Sequence, residues 1–298
     1  MSLVTVLDDY QAVALTSADW SPVQAVHTVE VIREHIAEPA ALVRRLAHSE
    51  IVVAMRERTP FTADVLTELP ALRLLVTTGM ANASIDLDAA ARRGITVCGT
   101  GGSGNAMPEL TIGMMIALTR NFTQEDAAVR AGGWQHTIGP GLAGSTLGVV
   151  GLGRLGVPVA NLAHAFGMDV VAWSPHLTQQ RADPHGVRAV GKHELFETAD
   201  VITIHMPLSD ASRGLIGAAE LALMKPSAYL INTSRGPIVD EAALLDVLRN
   251  GRIAGADQTS AGVGQRHVDG DHIGCLEQLV LADRAHAVGV GSLLSEVR

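Results

Sequence analysis

Short continuous apolar runs along this chain alternate with longer stretches in which apolar residues recur every three or four positions. The runs at 3–7, 51–55, 72–77 and 95–98 read as buried strands, with another strand around 30–33. Between them, 40–47 and 63–69 carry helical spacing, the second entered through the turn Thr59-Pro60. Strands alternating with amphipathic helices predict βαβ units and a parallel sheet. The first section is therefore expected to be a small open α/β domain with its strand ends turned to a cleft.

The cluster Gly99-Thr100-Gly101-Gly102-Ser103-Gly104 then interrupts the pattern and predicts an interdomain crossing. Beyond it, 108–120 reads as a long apolar helix in which Met114 and Met115 are packing residues rather than part of a metal or cofactor box. A second helix, 124–131, precedes Gly132-Gly133-Trp134. The alternation then resumes, with strands at 146–150, 168–173, 201–205 and 229–232 and helices at 157–166 and 242–249. No internal repeat or low-complexity tract is evident.

One junction carries chemistry by its composition. Between a buried strand and a helix lies Gly151-Leu152-Gly153-Arg154-Leu155-Gly156, with a second strand after the helix. In such a unit the first glycine permits a tight turn, the second lets the backbone approach a pyrophosphate, and the third brings helix and strand close. The pyrophosphate then sits on the exposed N–H groups of the helix start. A glycine turn alone is weak evidence, and the strand–turn–helix–strand order around it is what favours a dinucleotide over a structural turn.

Composition narrows the rest. The 298 residues suffice for about two domains. A hydrophobic fraction of 47% with only 3% aromatic residues suits Ala, Val and Leu packing between helices and a mostly parallel sheet. A net charge of −9 argues against nucleic acid or an anionic membrane as partner, while a few local arginines suffice for a small anionic substrate. No apolar run reaches a membrane span, and residues 1–10 lack the basic start and apolar core of a signal peptide, so a cytoplasmic location is expected. Cys98 and Cys275 are too few and too far apart for a disulfide framework, and Cys98 is expected to pack as a small apolar residue.

Two features of the first section go beyond scaffold. Thr77-Thr78-Gly79-Met80-Ala81-Asn82 follows a strand directly, so it is either a backbone anion cradle or an ordinary strand-to-helix turn. Arg56, at the end of another strand, either pairs with a carboxylate or is a solvated surface arginine. Arg56, Gly79 and Met80 are the candidate substrate contacts.

The chain resembles the D-isomer-specific 2-hydroxyacid dehydrogenases. The matching pieces are Val149-Val150-Gly151-Leu152-Gly153-Arg154-Leu155-Gly156, His205-Met206-Pro207-Leu208, Ile231-Asn232-Thr233-Ser234-Arg235-Gly236-Pro237-Ile238-Val239-Asp240 and Gly251-Arg252-Ile253-Ala254-Gly255-Ala256. Upstream, the Gly79 loop with Ile85-Asp86-Leu87 and Arg93-Gly94-Ile95-Thr96-Val97 is also similar to the family. The resemblance implies two Rossmann-like domains: a flavodoxin-like substrate domain from 1–100 and 275–298, and a dinucleotide domain over 101–274 that mediates a homodimer. It implies hydride exchange between a nicotinamide and C2 of a small 2-oxo or D-2-hydroxy acid. Arg235 is then the catalytic arginine, holding the substrate carboxylate and polarising the reacting carbonyl. The cofactor contacts implied are Gly151, Gly153, Arg154, Leu155, Gly156, Ser174, His205, Pro207, Thr233 and Asp257.

The family also requires a histidine to pass a proton to the carbonyl oxygen and a carboxylate to orient it. Here the chain departs from the pattern. After Ala256 it reads Asp257-Gln258-Thr259-Ser260, and the acidic partner of the histidine falls near Gly264. The family's nicotinamide-contacting Asp falls near Thr259, with Asp257 as the displaced candidate. Asp271-His272-Ile273-Gly274 is similar to the family's Pro-His-Ile-Gly, which makes His272 the candidate acid/base and His286 its competitor. The abrupt change suggests that part of 257–271 comes from a shifted or shortened reading frame. NAD-preferring members carry an acidic residue where this chain has Ser174, so NAD is the first choice and NADP the alternative. Two functions follow: an active oxidoreductase, or a dinucleotide-binding protein of the same fold with weak or no catalysis because the histidine lacks its acidic partner. A hydrolase of the adenosylhomocysteinase type is disfavoured by Thr233-Ser234-Arg235-Gly236.

Overall fold

The computed structural model describes residues 1–101 and 106–258, which divide into two compact units at the glycine cluster. Each unit is built on one wholly parallel sheet, as the alternation of runs predicts.

In the first unit, β1 (Leu3–Val6), β2 (Thr28–Val31), β3 (Ser49–Ala54), β4 (Leu74–Thr77) and β5 (Thr96–Gly99) lie in the order β2-β1-β3-β4-β5. Their two-residue side-chain period divides the core. Val52, Ala54 and Leu75 face Leu42, Leu46, Val65, Leu66 and Ala90 of the helices Pro39–Leu46, Ala63–Thr67 and Leu87–Arg92. Val4, Val6, Ile51, Val53, Leu74 and Val76 face the other way, against Trp20 and Val23. Strand β2 lies two residues ahead of the expected 30–33. It is a sheet edge with no fully buried residue, so a search for apolar runs misplaces it. Cys98, on β5, packs among apolar neighbours as expected.

In the second unit, β6 (Thr146–Val150), β7 (Asp169–Trp173), β8 (Arg188–Ala189), β9 (Val201–Ile204), β10 (Tyr229–Asn232) and β11 (Gly255–Gln258) lie in the order β11-β10-β9-β6-β7-β8. From β6 the chain runs outward to β7 and β8, then returns to β9 on the other side. The crevice at such a reversal, beyond the carboxyl ends of the strands, is where open α/β sheets take ligands. Helices Ala106–Thr119 and Gly156–Ala165 cover one face, where Met114 and Met115 are fully buried packing residues. Phe196, Leu244, Val247 and Leu248 cover the other. Strand β11 runs through Asp257 in register with Ile231, so the strand continues past the point where the familiar sequence stops.

Residues 259–298 lie outside the described residues, and with them Thr259, Gly264, His272, Cys275, His286 and the segment 275–298 expected to belong to the substrate domain. No helix among the described residues is long and apolar enough to cross a membrane.

Candidate active site

The glycine turn begins one residue past β6. Gly151 holds φ +102°, and a Cβ there would lie 2.7 Å from the His205 carbonyl oxygen, so two constraints at once favour glycine. A Cβ on Gly156 would meet the Gly151 carbonyl oxygen at 2.2 Å, which is the close helix-to-strand packing expected of the third glycine. Gly153 is different: nothing lies within 4 Å of the place its Cβ would take. It is exposed, as is Arg154 beside it. The helix Gly156–Ala165 starts with Leu155 at its N-cap and no side chain bonded to its first N–H groups. The Val157 N–H donates to the Gly153 carbonyl at 2.9 Å and Pro158 has none, so the N–H groups of Arg154, Leu155 and Gly156, ahead of them, are the ones that suit an anion.

Ser174, just beyond β7, is already engaged, since its Oγ accepts from the Leu152 N–H at 3.2 Å and ties the turn to the neighbouring strand. It therefore has a structural role at the end of this strand.

His205 follows β9 directly and is 9% exposed. Burial holds its imidazole far below the usual histidine range, at about 4, so it is neutral at physiological pH. Its Nε2 lies 3.2 Å from Thr203 Oγ1, while Nδ1 is buried with no hydrogen-bond partner among the described residues. An orphaned buried polar atom at a strand end beside an open glycine turn fits a dinucleotide. Pro207, two residues on, is exposed.

Thr233 and Arg235 follow β10. Thr233 is buried, and its Oγ1 is 3.0 Å from Thr111 Oγ1 on the helix Ala106–Thr119. Asn232 shapes the turn: its Oδ1 accepts from the Ser234 N–H at 3.0 Å and its Nδ2 donates to the Arg235 carbonyl at 3.0 Å. Ser234 Oγ donates to the Ile204 carbonyl at 2.7 Å, pinning this turn to β9. Arg235 is half-buried in extended backbone, and its Nη1 donates to the Ser234 carbonyl at 2.9 Å. The glycine turn, His205 and Arg235 thus stand at the carboxyl ends of three adjacent strands, β6, β9 and β10. Asp257 is 2% exposed within β11, next to β10.

In the first unit, Arg56 also stands beyond a strand end, in the short turn Arg56–Arg58 after β3, with φ +52°. Its N–H donates to Thr78 Oγ1 at 3.1 Å and its carbonyl accepts from Asn82 Nδ2 at 2.6 Å. Its Nη1 would be 2.8 Å from a Cβ on Gly79, so Gly79, at φ +99°, is held open by the arginine it accommodates. The Gly79 N–H donates to Thr100 Oγ1 at 2.9 Å, and Met80 is 77% exposed. The structure therefore brings Arg56 and the Gly79 loop together. That N–H is taken within the fold, which counts against a simple backbone cradle using it.

Thr111 gave no signal in the sequence, since its partner Thr233 is 122 positions away, and the bonds of Asn82 to Arg56 and of Thr100 to Gly79 were not legible within the two segments that carry them. Asn232 was legible in principle, since Asn ahead of Thr-Ser is a turn signal. Among the described residues no group of three or more His, Cys, Asp or Glu could hold a metal ion.

Residues 112–258 match the model of the D-isomer specific 2-hydroxyacid dehydrogenase NAD binding domain. The D-3-phosphoglycerate dehydrogenase of Bacillus subtilis is 36% identical over 231 residues, 76% of this chain and 43% of that relative. The chain spans about two fifths of the length of the curated relatives it matches. Among solved structures, a phosphoglycerate oxidoreductase from Vibrio cholerae O395 superposes with a TM-score of 0.91 at 30% identity, covering 100% of this chain and 98% of that one. A D-lactate dehydrogenase from Aquifex aeolicus, complexed with NAD and lactic acid, gives 0.70 at 25% identity, with coverages of 86% and 76%. With a matching domain model, a structural relative aligned over nearly its whole length and a glycine turn left open at Gly153, this chain belongs to the D-isomer-specific 2-hydroxyacid dehydrogenase family.

Proposed function

We propose that the chain is an oxidoreductase that moves a hydride between a nicotinamide cofactor and C2 of a small 2-oxo or D-2-hydroxy acid. The observation that carries this reading is the row formed by the open glycine turn, neutral His205 and Arg235 at three neighbouring strand ends. When bound, the cofactor supplies or accepts the hydride. Gly153, Arg154, Leu155 and the helix start would hold its pyrophosphate, Ser174 its adenine ribose, and His205, Pro207, Thr233 and Asp257 its nicotinamide end. The Arg235 guanidinium holds the substrate carboxylate and offsets the charge that develops on the carbonyl oxygen. In the first unit, Arg56, Gly79 and Met80 are the proposed substrate contacts, and His272 is the proposed acid/base. NAD is the cofactor of first choice, and a comparison of NADH and NADPH dissociation constants decides the matter.

The test is oxidation of NADH and NADPH with glyoxylate, hydroxypyruvate, pyruvate and phenylpyruvate, and reduction of NAD with D-3-phosphoglycerate, for which the Bacillus relative is named. Arg235→Ala should lower kcat/KM about a hundredfold, equivalent to roughly 2.7 kcal/mol of lost transition-state stabilisation. Undiminished turnover in that variant would remove Arg235 from the chemistry. The second reading, a cofactor-binding protein with weak or no turnover, is favoured by Gly264 at the place of the acidic partner. Tight NADH binding without oxidation on any acid, and with His272→Ala indistinguishable from wild type, would establish it.

The same proposal includes a cytoplasmic homodimer formed through the dinucleotide unit. Glu125 accepts from the N–H groups of His136 and Thr137, folding that loop onto the helix Phe122–Arg130. Phe122, Trp134 and Ile138 remain exposed there, and apolar exposure of this kind marks interaction surfaces. Trp134→Glu should shift the sedimentation coefficient from dimer to monomer.

A further inference from the structure

The first unit has its own chain reversal, between β1 and β3, where a sheet of order β2-β1-β3-β4-β5 would be expected to take a ligand. In this chain the reversal is occupied by a buried carboxylate. Asp8, two residues past β1, is 1% exposed and holds φ +55°, a conformation uncommon outside glycine and tolerated by Asp and Asn. Its Oδ2 accepts from Thr59 Oγ1 at 2.6 Å, and its Oδ1 is 3.1 Å from the Tyr10 hydroxyl and 3.0 Å from His35 Nδ1. Its carbonyl accepts from Arg58 Nη1 at 2.7 Å, and the Arg58 guanidinium lies 4.6 Å over the Tyr10 ring. The phenol is pushed up to about 12, mainly by burial and next by the Asp8 charge, so it stays a donor.

These bonds converge on one short segment. Arg58 and Thr59 are held by Asp8, while Arg56, at φ +52°, is held from the opposite side by Thr78 and Asn82. Two non-glycine residues in the left-handed region, both at carboxyl strand ends and tied to one turn, are strain that the surroundings maintain, and such strain concentrates at functional sites. We propose that Asp8 is a positioning residue that fixes the 56–59 turn across the β1/β3 reversal and thereby sets where Arg56 meets the substrate. This rests on the reading of Arg56 as a substrate contact.

The test is a double-mutant cycle on the whole chain with NADH and hydroxypyruvate. Asp8→Asn keeps the size and tolerates the φ but removes the charge. It should raise KM for hydroxypyruvate about tenfold, leave kcat within about twofold and leave the NADH dissociation constant unchanged. On an Arg56→Ala background the same substitution should add less than about twofold, because the residue it acts through is gone. Thr59→Val, which removes one bond of the set, should move KM in the same direction and carries the test if Asp8→Asn does not fold. An effect of Arg56→Ala with wild-type KM in Asp8→Asn and Thr59→Val overturns the positioning role alone. So does an undiminished Asp8→Asn effect on the Arg56→Ala background. Wild-type KM in Arg56→Ala defeats the reading of Arg56, and this role with it.

Discussion

Three glycines within six positions answer to different demands, and the difference can be measured. Gly151 and Gly156 are set by crowding, since a Cβ at either would sit within 2.7 Å of a carbonyl oxygen. Gly153 has open space around it, so crowding within the fold does not require glycine there. Gly156→Ala should therefore cost about 1–3 kcal/mol in urea unfolding through overpacking. Gly153→Ala should leave the unfolding midpoint unchanged yet weaken NADH by about tenfold, roughly 1.4 kcal/mol, in a fluorescence titration. Equal stability losses in the two variants would mean that the motif is only a turn. His205 supplies a second residue-scale test. Its folded value of about 4 lies below its unfolded 6.5, so the unfolded chain binds the proton first as pH falls. Its contribution to stability is complete above pH 6.5 and is lost progressively between 6.5 and 4. Between pH 7 and pH 5 this amounts to about 2 kcal/mol, and His205→Asn should flatten that part of the stability curve relative to wild type.

At the scale of elements, a motif mixes residues that face a ligand with residues that hold the loop. In the stretch 231–240, Asn232 shapes the turn that carries Arg235, and Asp240 caps the helix Glu241–Arg249 by accepting from the Ala243 N–H at 3.1 Å. Asp240→Ala should thus lower stability by about 1 kcal/mol, the usual cost of losing such a cap, with kcat and KM unchanged. A fall in kcat at undiminished stability would place Asp240 in the site instead. The distinction was not legible in the letters, because a cap and a ligand contact both call for a short polar side chain. The strands with two-sided burial, such as β6, β9 and β10, were legible because a short unbroken apolar run between turn residues suits a strand covered on both faces. The two-residue β8, the edge strand β2 and the helices Lys192–Thr198 and Ala218–Leu221 were displaced or missed, for short or half-exposed elements carry too few periodic positions. Strand β11 was obscured for another reason: the family pattern ends inside it, and Asp257 within it is a buried polar residue that propensity disfavours. The hub at Asp8 was invisible, since His35 and Thr59 reach it from 27 and 51 positions away.

For the molecule as a whole, the relevant fact is that the two units have separate cores. Phe61, Leu66 and Leu75 belong to one, and Leu147, Phe196 and Leu230 to the other, each organised around its own sheet. The glycine turn, His205 and Arg235 all belong to the second unit, whereas Arg56 and Gly79 belong to the first. A ligand that binds only folded chain adds RT ln(1 + [L]/Kd) to the stability of whatever must open to release it. NADH at a hundred times its dissociation constant should therefore slow exchange of amides that open with the second unit, by up to about 2.7 kcal/mol. The strongest protection is expected at 151–157 and along β9 and β10, with the amides of β1, β3 and β4 exchanging as before. Hydrogen exchange followed by mass spectrometry resolves the two sets of peptides. Equal slowing in both would show that the units open as one body, and unchanged exchange at 151–157 under saturating NADH would mean that the pyrophosphate does not sit on that turn.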